Sequence, residues 1–234
     1  MSNKADFLTI KENGDHELVI KKSRFIATMG RVTSEAEAKD FIAAVSKKYH
    51  DATHNTYAYT LGLNDEQVKA SDNGEPSGTA GIPELKALQL MKLKNVAVVV
   101  TRYFGGIKLG AGGLIRAYSN SVTSAAEAIG VVKRVMQQEI IFAIPYNRYD
   151  EINHYLEEAD IFVESREYAA DITISVFLDL DQVAAFEAKL TDLMAGKIDF
   201  LEGDQRYNEI PLKDFNYHEQ GYKSTPRTRR AFAC

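Results

Sequence analysis

Two stretches of this chain carry residues whose types and spacing can do chemistry. The first runs from Asp72 to Gly81 and reads DNGEPSGTAG. Asp72, Glu75, Ser77 and Thr79 put four oxygen-bearing side chains into one polar loop. Such a set suits a magnesium ion when a phosphate ligand supplies further oxygens. The same residue types build turns and cap helices, and a helix start is expected at Pro83. Turn chemistry is the stronger reading for Asp72. Glu75 has no local capping task, which marks it as the better functional acid. The second stretch, Arg102 to Arg116, reads RYFGGIKLGAGGLIR. Lys108 lies between two glycine clusters, and Leu114 is expected to open a helix. Backbone N–H groups at a helix N-terminus, with a cation close by, make an anion site. The alternative is a tight turn whose glycines only permit packing. No Gly-Lys-Ser/Thr closes the loop, so it is not a Walker loop.

The remaining chemistry is sparse. His50 and His54 are four apart, but they sit at an expected helix end with no third ligand, so no metal site is expected. His54 is retained as a rim residue of the candidate site. Tyr57 and Tyr59 share a face if their segment is a strand. With Tyr103 and Phe104 they offer a stacking surface for bases. Tyr103 is the expected solvent-facing member, and Phe104 is expected to pack in the core. No nucleophile stands out. Cys234 is the last residue, and Ser77 lacks a nucleophile elbow. No catalytic residue is therefore assigned. The candidate anion- or nucleic-acid-binding set is Arg24, His54, Tyr57, Glu75, Ser77, Thr79, Arg102, Tyr103, Gly105, Gly106, Lys108, Gly110 and Arg116.

The elements around these residues follow from pattern. Phe7–Ile10 and Glu17–Ile20 read as strands, with Asn13-Gly14-Asp15 as a hairpin-type turn between them. Lys21, Lys22 and Arg24 precede a strand at Phe25-Ile26-Ala27. Thr33 or Ser34 caps a helix that ends near Lys47 or Lys48. His54–Leu63 alternates as a strand. A helix from Pro83 ends at Asn95, and Val96–Val100 is an apolar run expected for a strand covered on both faces. Leu114–Ile129 is helical. Val131–Gln138 reads as a linker. Strands at Glu139–Ile144, Ile161–Ala169, Ile172–Leu180 and Ile198–Ile210 alternate with helices at Tyr149–Ala159 and Val183–Met194. That order is β-α-β-β-α-β, the ferredoxin-like pattern.

The expected organisation is thus α+β, with one domain over 1–132, a second over 137–213 and a flexible basic tail over 214–234. Charge supports the division. Residues 71–134 carry 8 basic and 4 acidic side chains, whereas residues 135–215 carry 6 and 18. An anionic partner would prefer the first domain and the tail. Eight of the 15 glycines (Gly74, Gly78, Gly81, Gly105, Gly106, Gly110, Gly112 and Gly113) fall in the basic stretch. No apolar run approaches a membrane-spanning length, and the single cysteine excludes an intrachain disulfide. A cytoplasmic location is the expectation, with no membrane partner.

The motifs Asp72–Gly81, Arg102–Gly106, Ile107–Leu114 with Arg116-Ala117-Tyr118, Lys22–Phe25 and His54–Tyr59 resemble the IMPACT family, also known as the YigZ family. The family usually has Asp where this chain has Asn73. The resemblance implies an N-terminal left-handed β-α-β domain like those of a small-subunit ribosomal protein and elongation factor G. It implies a C-terminal domain like the last domain of elongation factor G. It also implies a role in translation control, exercised in the eukaryotic members through a protein partner and an additional domain absent here. Two functional expectations follow, beside a protein partner in translation control that rests on the resemblance alone. One is a non-catalytic translation-associated factor that binds RNA or the ribosome through the basic glycine-rich cleft. The other is an enzyme or binding protein for a phosphorylated ligand or nucleotide, with magnesium entering only alongside the phosphate. No other cofactor is expected.

Overall fold

The computed structural model describes residues 6–212. The basic tail expected over 214–234 lies outside the described residues. The protein is α+β, with two antiparallel sheets, and it forms two compact units. One holds Phe7–Lys133 with Pro211 and Leu212, and the other holds Asp6 and Arg134–Ile210.

The first unit contains β1 (Phe7–Ile10), β2 (Gly14–Ile20), β3 (Ser23–Arg31), α1 (Glu35–Lys48), β4 (His54–Leu61), β5 (Gln67–Ser71), α2 (Gly81–Leu90), β6 (Val96–Tyr103) and α3 (Ala111–Ile129). Its sheet has the order β2-β3-β6-β4-β5. The central strand β6 is buried from Val96 to Arg102, as its unbroken apolar run predicts. Helix α1 covers one face, where Ala38 packs with Tyr59, Leu61 and Ala97. Helices α2 and α3 cover the other, where Leu88, Tyr118 and Val122 pack with Phe25, Ala58, Val98 and Val100. Ser34 caps α1 by accepting from the Glu37 N–H at 3.2 Å, and Glu37 accepts from the Thr33 N–H at 2.7 Å. This reciprocal pairing fixes where α1 begins.

Several local expectations are corrected. Asn13–Asp15 does not fold β2 back onto β1. Strand β2 pairs with β3, closing with Ile20 opposite Ser23, and β1 joins the other sheet. The connecting residues Lys21 (φ 47°) and Lys22 (φ 65°) are both left-handed, the backbone of a two-residue hairpin turn. Lysine at both positions gave no turn signal. Strand β5 was not anticipated, and its pattern is largely exposed. Helix α2 ends at Leu90 rather than Asn95, because Lys92 (φ 55°) turns left-handed and the Leu93 N–H returns to the Leu88 carbonyl at 3.0 Å.

The stretch Val131–Gln138 is strand, not linker. It forms the start of β7 (Val131–Ile144), where Val131, Val132 and Val135 are buried. There follow α4 (Tyr149–Glu158), β8 (Val163–Tyr168), β9 (Ile172–Asp179), α5 (Val183–Leu193) and β10 (Phe200–Pro211). The sheet runs β1-β7-β9-β8, with β10 also on β7. Ile152, Leu156, Phe186 and Leu190 of the helices pack on Ile140, Phe142, Ile174 and Val176 of the strands.

Candidate functional site

The edge of the first unit where β6 and β4 present Arg102 opposite His54 carries a buried polar cluster. Strand alternation turns Arg102 to the same face as Val98 and Val100, toward α2 and α3. There its Nη1 donates to Glu75 Oε1 at 2.5 Å. The side chains of Glu75 and Arg102 are 2% and 6% exposed. The Tyr118 hydroxyl, from α3, donates to the same Glu75 oxygen at 2.8 Å. Burial, and after it the neighbouring Glu75 charge, push the Tyr118 phenol far above its ordinary value, so it stays a donor. His54 completes the group. Its Nε2 stands 3.9 Å from Glu75 Oε1, and its Nδ1 lies 3.3 Å from the Asn73 carbonyl oxygen.

The loop carrying Glu75 is braced from within. Asp72 accepts the N–H groups of Gly78 (2.7 Å), Ala80 (3.0 Å) and Gly81 (2.9 Å). Burial alone would raise its pKa, but the three N–H donors outweigh burial and hold the carboxyl below its ordinary range. The Thr79 hydroxyl donates to the Pro76 carbonyl at 2.6 Å, and Ser77 is exposed. The four oxygen-bearing side chains therefore do not gather around one point: Asp72 serves the backbone, Thr79 serves Pro76, and Glu75 serves Arg102 and Tyr118. They do not fit a magnesium site. Among the described residues, no group of three or more His, Cys, Asp or Glu is placed to hold a metal ion.

One rung deeper lies an acid that sequence reasoning missed. Glu84, in the first turn of α2, is fully buried against the Thr56 hydroxyl, and Thr56 also lies 3.1 Å from the Val100 carbonyl. A hydroxyl has one proton to give. The Thr56 hydroxyl is within donating distance of both Glu84 Oε1 and the Val100 carbonyl, so its one proton serves one of them at a time. Burial pushes the Glu84 pKa well above the ordinary carboxylate range, which favours its protonated form. The signal was available: Glu84 falls three and four residues before Ala87 and Leu88, on the buried stripe of its helix.

The glycine loop between β6 and α3 lies beside the hairpin tip. A Cβ on Gly105 would come within 2.0 Å of the Lys22 carbonyl carbon, so only glycine allows this approach. The Gly105 N–H donates to Ser23 Oγ at 3.1 Å. Gly110, at φ 72° and ψ 163°, starts α3 with no side-chain cap, and the first turn holds no acid. Lys22, Lys108 and Arg116 are exposed, and none has a polar partner among the described residues.

The other predicted residues fall on the opposite face. Arg24 forms a two-bond pair with Glu17 (3.0 and 2.9 Å) and lies over the Tyr103 ring at 5.2 Å. The Tyr103 hydroxyl donates to Asp51 at 2.8 Å. Tyr57 shares the α1 face with Tyr59, two residues along β4. Of the two aromatic expectations, that for Phe104 is overturned. Tyr103 is half-covered, whereas Phe104, just past the end of β6, is 47% exposed.

Residues 21–126 match the Impact N-terminal domain, and residues 142–197 match a domain of unknown function, DUF1949. IMPACT family member YvyE of Bacillus subtilis (strain 168) is 44% identical over 203 residues, covering 87% of this chain and 94% of that protein. The chain belongs to the IMPACT family. IMPACT family member YigZ of Escherichia coli (strain K12) is 35% identical over 184 residues, covering 78% of this chain and 90% of that protein. Human Protein IMPACT is 31% identical over 144 residues, covering 53% of this chain and 44% of that protein. A crystal structure described as a hypothetical protein shares 32% identity and a TM-score of 0.54, covering 85% of this chain and 98% of that one. The polar cluster and the glycine loop of this IMPACT family member both fall inside its Impact N-terminal match. No helix among the described residues is long and apolar enough to cross a membrane.

Proposed function

We propose that this IMPACT family member is a non-catalytic, translation-associated factor whose first unit binds RNA, free or in the ribosome. The observation that carries the reading is the uncapped, acid-free start of α3, flanked by Lys22, Lys108 and Arg116, which meet no counter-charge among the described residues. RNA phosphates take the free N–H groups and the cations. Arg102 is not among these cations, since Glu75 already neutralises it. The element order β-α-β-β-α-β and the strand order β10-β7-β9-β8 support a ferredoxin-like second unit. The left-handed β-α-β first unit belongs to the same reading, as does the kinship of both units with elongation-factor domains. A phosphorylated small ligand suits the same loop less well, because Glu75, the acid such chemistry would use, is held in an ion pair.

The test is retention of structured RNA on a filter across a salt series. Three neutralised phosphates predict a slope of about −2 in log affinity against log salt, hence roughly twentyfold weaker binding between 50 and 200 mM. Lys108→Glu should weaken binding at least about tenfold and leave the melting temperature near that of the parent. No retention at low salt sinks the reading. A melting temperature raised by nucleotide with magnesium, and not by RNA, would transfer it to a small phosphorylated ligand.

A further inference from the structure

The geometry points to Phe104 as a base-stacking platform that makes this loop a reader of single-stranded RNA. The inference rests on the RNA reading above and names the form of RNA the site takes. Phe104 is a large aromatic left 47% exposed at the start of the loop that carries Lys108. It is nevertheless held. Its N–H donates to Thr53 Oγ at 3.1 Å, and the next N–H is bound to Ser23. Beneath its ring lies the Arg102 guanidinium, 5.5 Å from the Phe104 centroid and 5.3 Å from that of Phe25. Arg102 is thus shared by a buried ring and an exposed one. It cannot swing out, because Glu75 holds it at 2.5 Å.

A ring supported on one side by a fixed cation and half-exposed to solvent has its orientation restricted before any ligand arrives. Binding then costs little ordering entropy. The neighbours supply the other half of the recognition. Ile107 and Ile115 are 41% and 42% exposed, and each is followed directly by a free cation, Lys108 and Arg116. Apolar surface interleaved with cations is what a single strand needs, since it presents unstacked base faces beside its phosphates. A duplex keeps those faces inside its stack and leaves Phe104 nothing to meet.

The chain contains no tryptophan, so Phe104→Trp installs a single indole fluorophore at the platform. The probes are short oligoadenylate and an RNA duplex of the same length. Oligoadenylate should quench the indole emission and the duplex should leave it unchanged. Phe104→Ala should weaken oligoadenylate binding about tenfold, or ~1.4 kcal/mol, with duplex binding unaltered. Phe104→Tyr should restore it. Lys108→Glu should weaken both probes alike, as a phosphate contact does. If Phe104→Ala lowers the melting temperature, the indole quenching alone decides. The platform is overturned if that emission stays constant at saturating oligoadenylate, or if Phe104→Ala binds oligoadenylate as the parent does. Should Lys108→Glu abolish binding in that case, the RNA reading stands and only the platform falls. Should the parent bind neither probe, the RNA reading itself falls.

Discussion

Replacing Glu75 by Gln leaves a guanidinium inside the first unit with no counter-charge. The magnitude follows from the geometry. The side chains are 2% and 6% exposed, with nitrogen and oxygen 2.5 Å apart. At an effective dielectric near 20, two unit charges at that separation attract by about 6–7 kcal/mol. Desolvation offsets much of this, and the loss expected when one partner of a buried pair is removed is about 3–5 kcal/mol. The Tyr118 bond survives on the amide oxygen but loses its charge assistance, roughly 1 kcal/mol within that range. A domain is stable by only about 5–15 kcal/mol, so Glu75→Gln should lower the denaturant midpoint sharply with the slope unchanged. The double variant Glu75→Gln with Arg102→Met removes both charges and keeps an acceptor for the Tyr118 hydroxyl, so it should recover most of the loss. The assay is urea unfolding followed by circular dichroism. A midpoint equal to the parent's for Glu75→Gln would refute the buried pair. A double variant as unstable as the single one would show that shape, not charge, was lost.

Three further outcomes follow from other parts of the first unit. Glu84 has a raised pKa in the folded state, so its stabilising contribution is whole below the ordinary carboxylate value of 4.5 and is lost as pH rises toward the folded value. The parent should lose up to about 1.4 kcal/mol per pH unit above that point from this group, and Glu84→Gln, measured by melting from pH 5 to 8, should lack that slope. Gly105→Ala forces a Cβ to within 2.0 Å of Lys22 backbone and should cost about 1–3 kcal/mol in a denaturant titration. A Cβ added at Gly110 meets no neighbour within 4 Å, so Gly110→Ala costs backbone strain alone, about 1–3 kcal/mol, and an unchanged melting temperature would contradict the assigned φ and ψ.

What the sequence revealed depended on range. The start of α1 and the buried run of β6 each rest on signals within a few residues, and each was read, whereas α3 begins at Ala111, ahead of the expected Leu114. The Glu75–Arg102 pair joins residues 27 apart, and the Glu75–Tyr118 bond joins residues 43 apart. No local pattern reports such pairings. The exposure of Phe104 went wrong for a related reason. Within β6, alternation sends Arg102 inward and Tyr103 to the α1 face. Phe104 comes after the strand ends, where alternation no longer applies, so its apolar character predicted burial that the backbone does not deliver. Lys21–Lys22 escaped notice because turn chemistry is read from Gly, Asn and Asp, and here the strand register imposes the turn on two lysines.

A buried ion pair is often no more stabilising than apolar side chains of the same shape, so stability alone does not account for Glu75 and Arg102. Their arrangement serves the loop above. Arg102 needs Glu75 to remain in the interior, and Phe104 rests on Arg102. The double variant Glu75→Gln with Arg102→Met separates these roles. A methionine is flexible and carries no charge, so it can fill the space between Phe25 and Phe104 without fixing the outer ring. Stability should therefore return while oligoadenylate binding stays weakened, by up to about the tenfold expected for Phe104→Ala. Duplex binding, which depends on Lys22, Lys108 and Arg116, should match the parent. Recovery of both stability and oligoadenylate affinity in the double variant would mean that the pair holds the fold and nothing more.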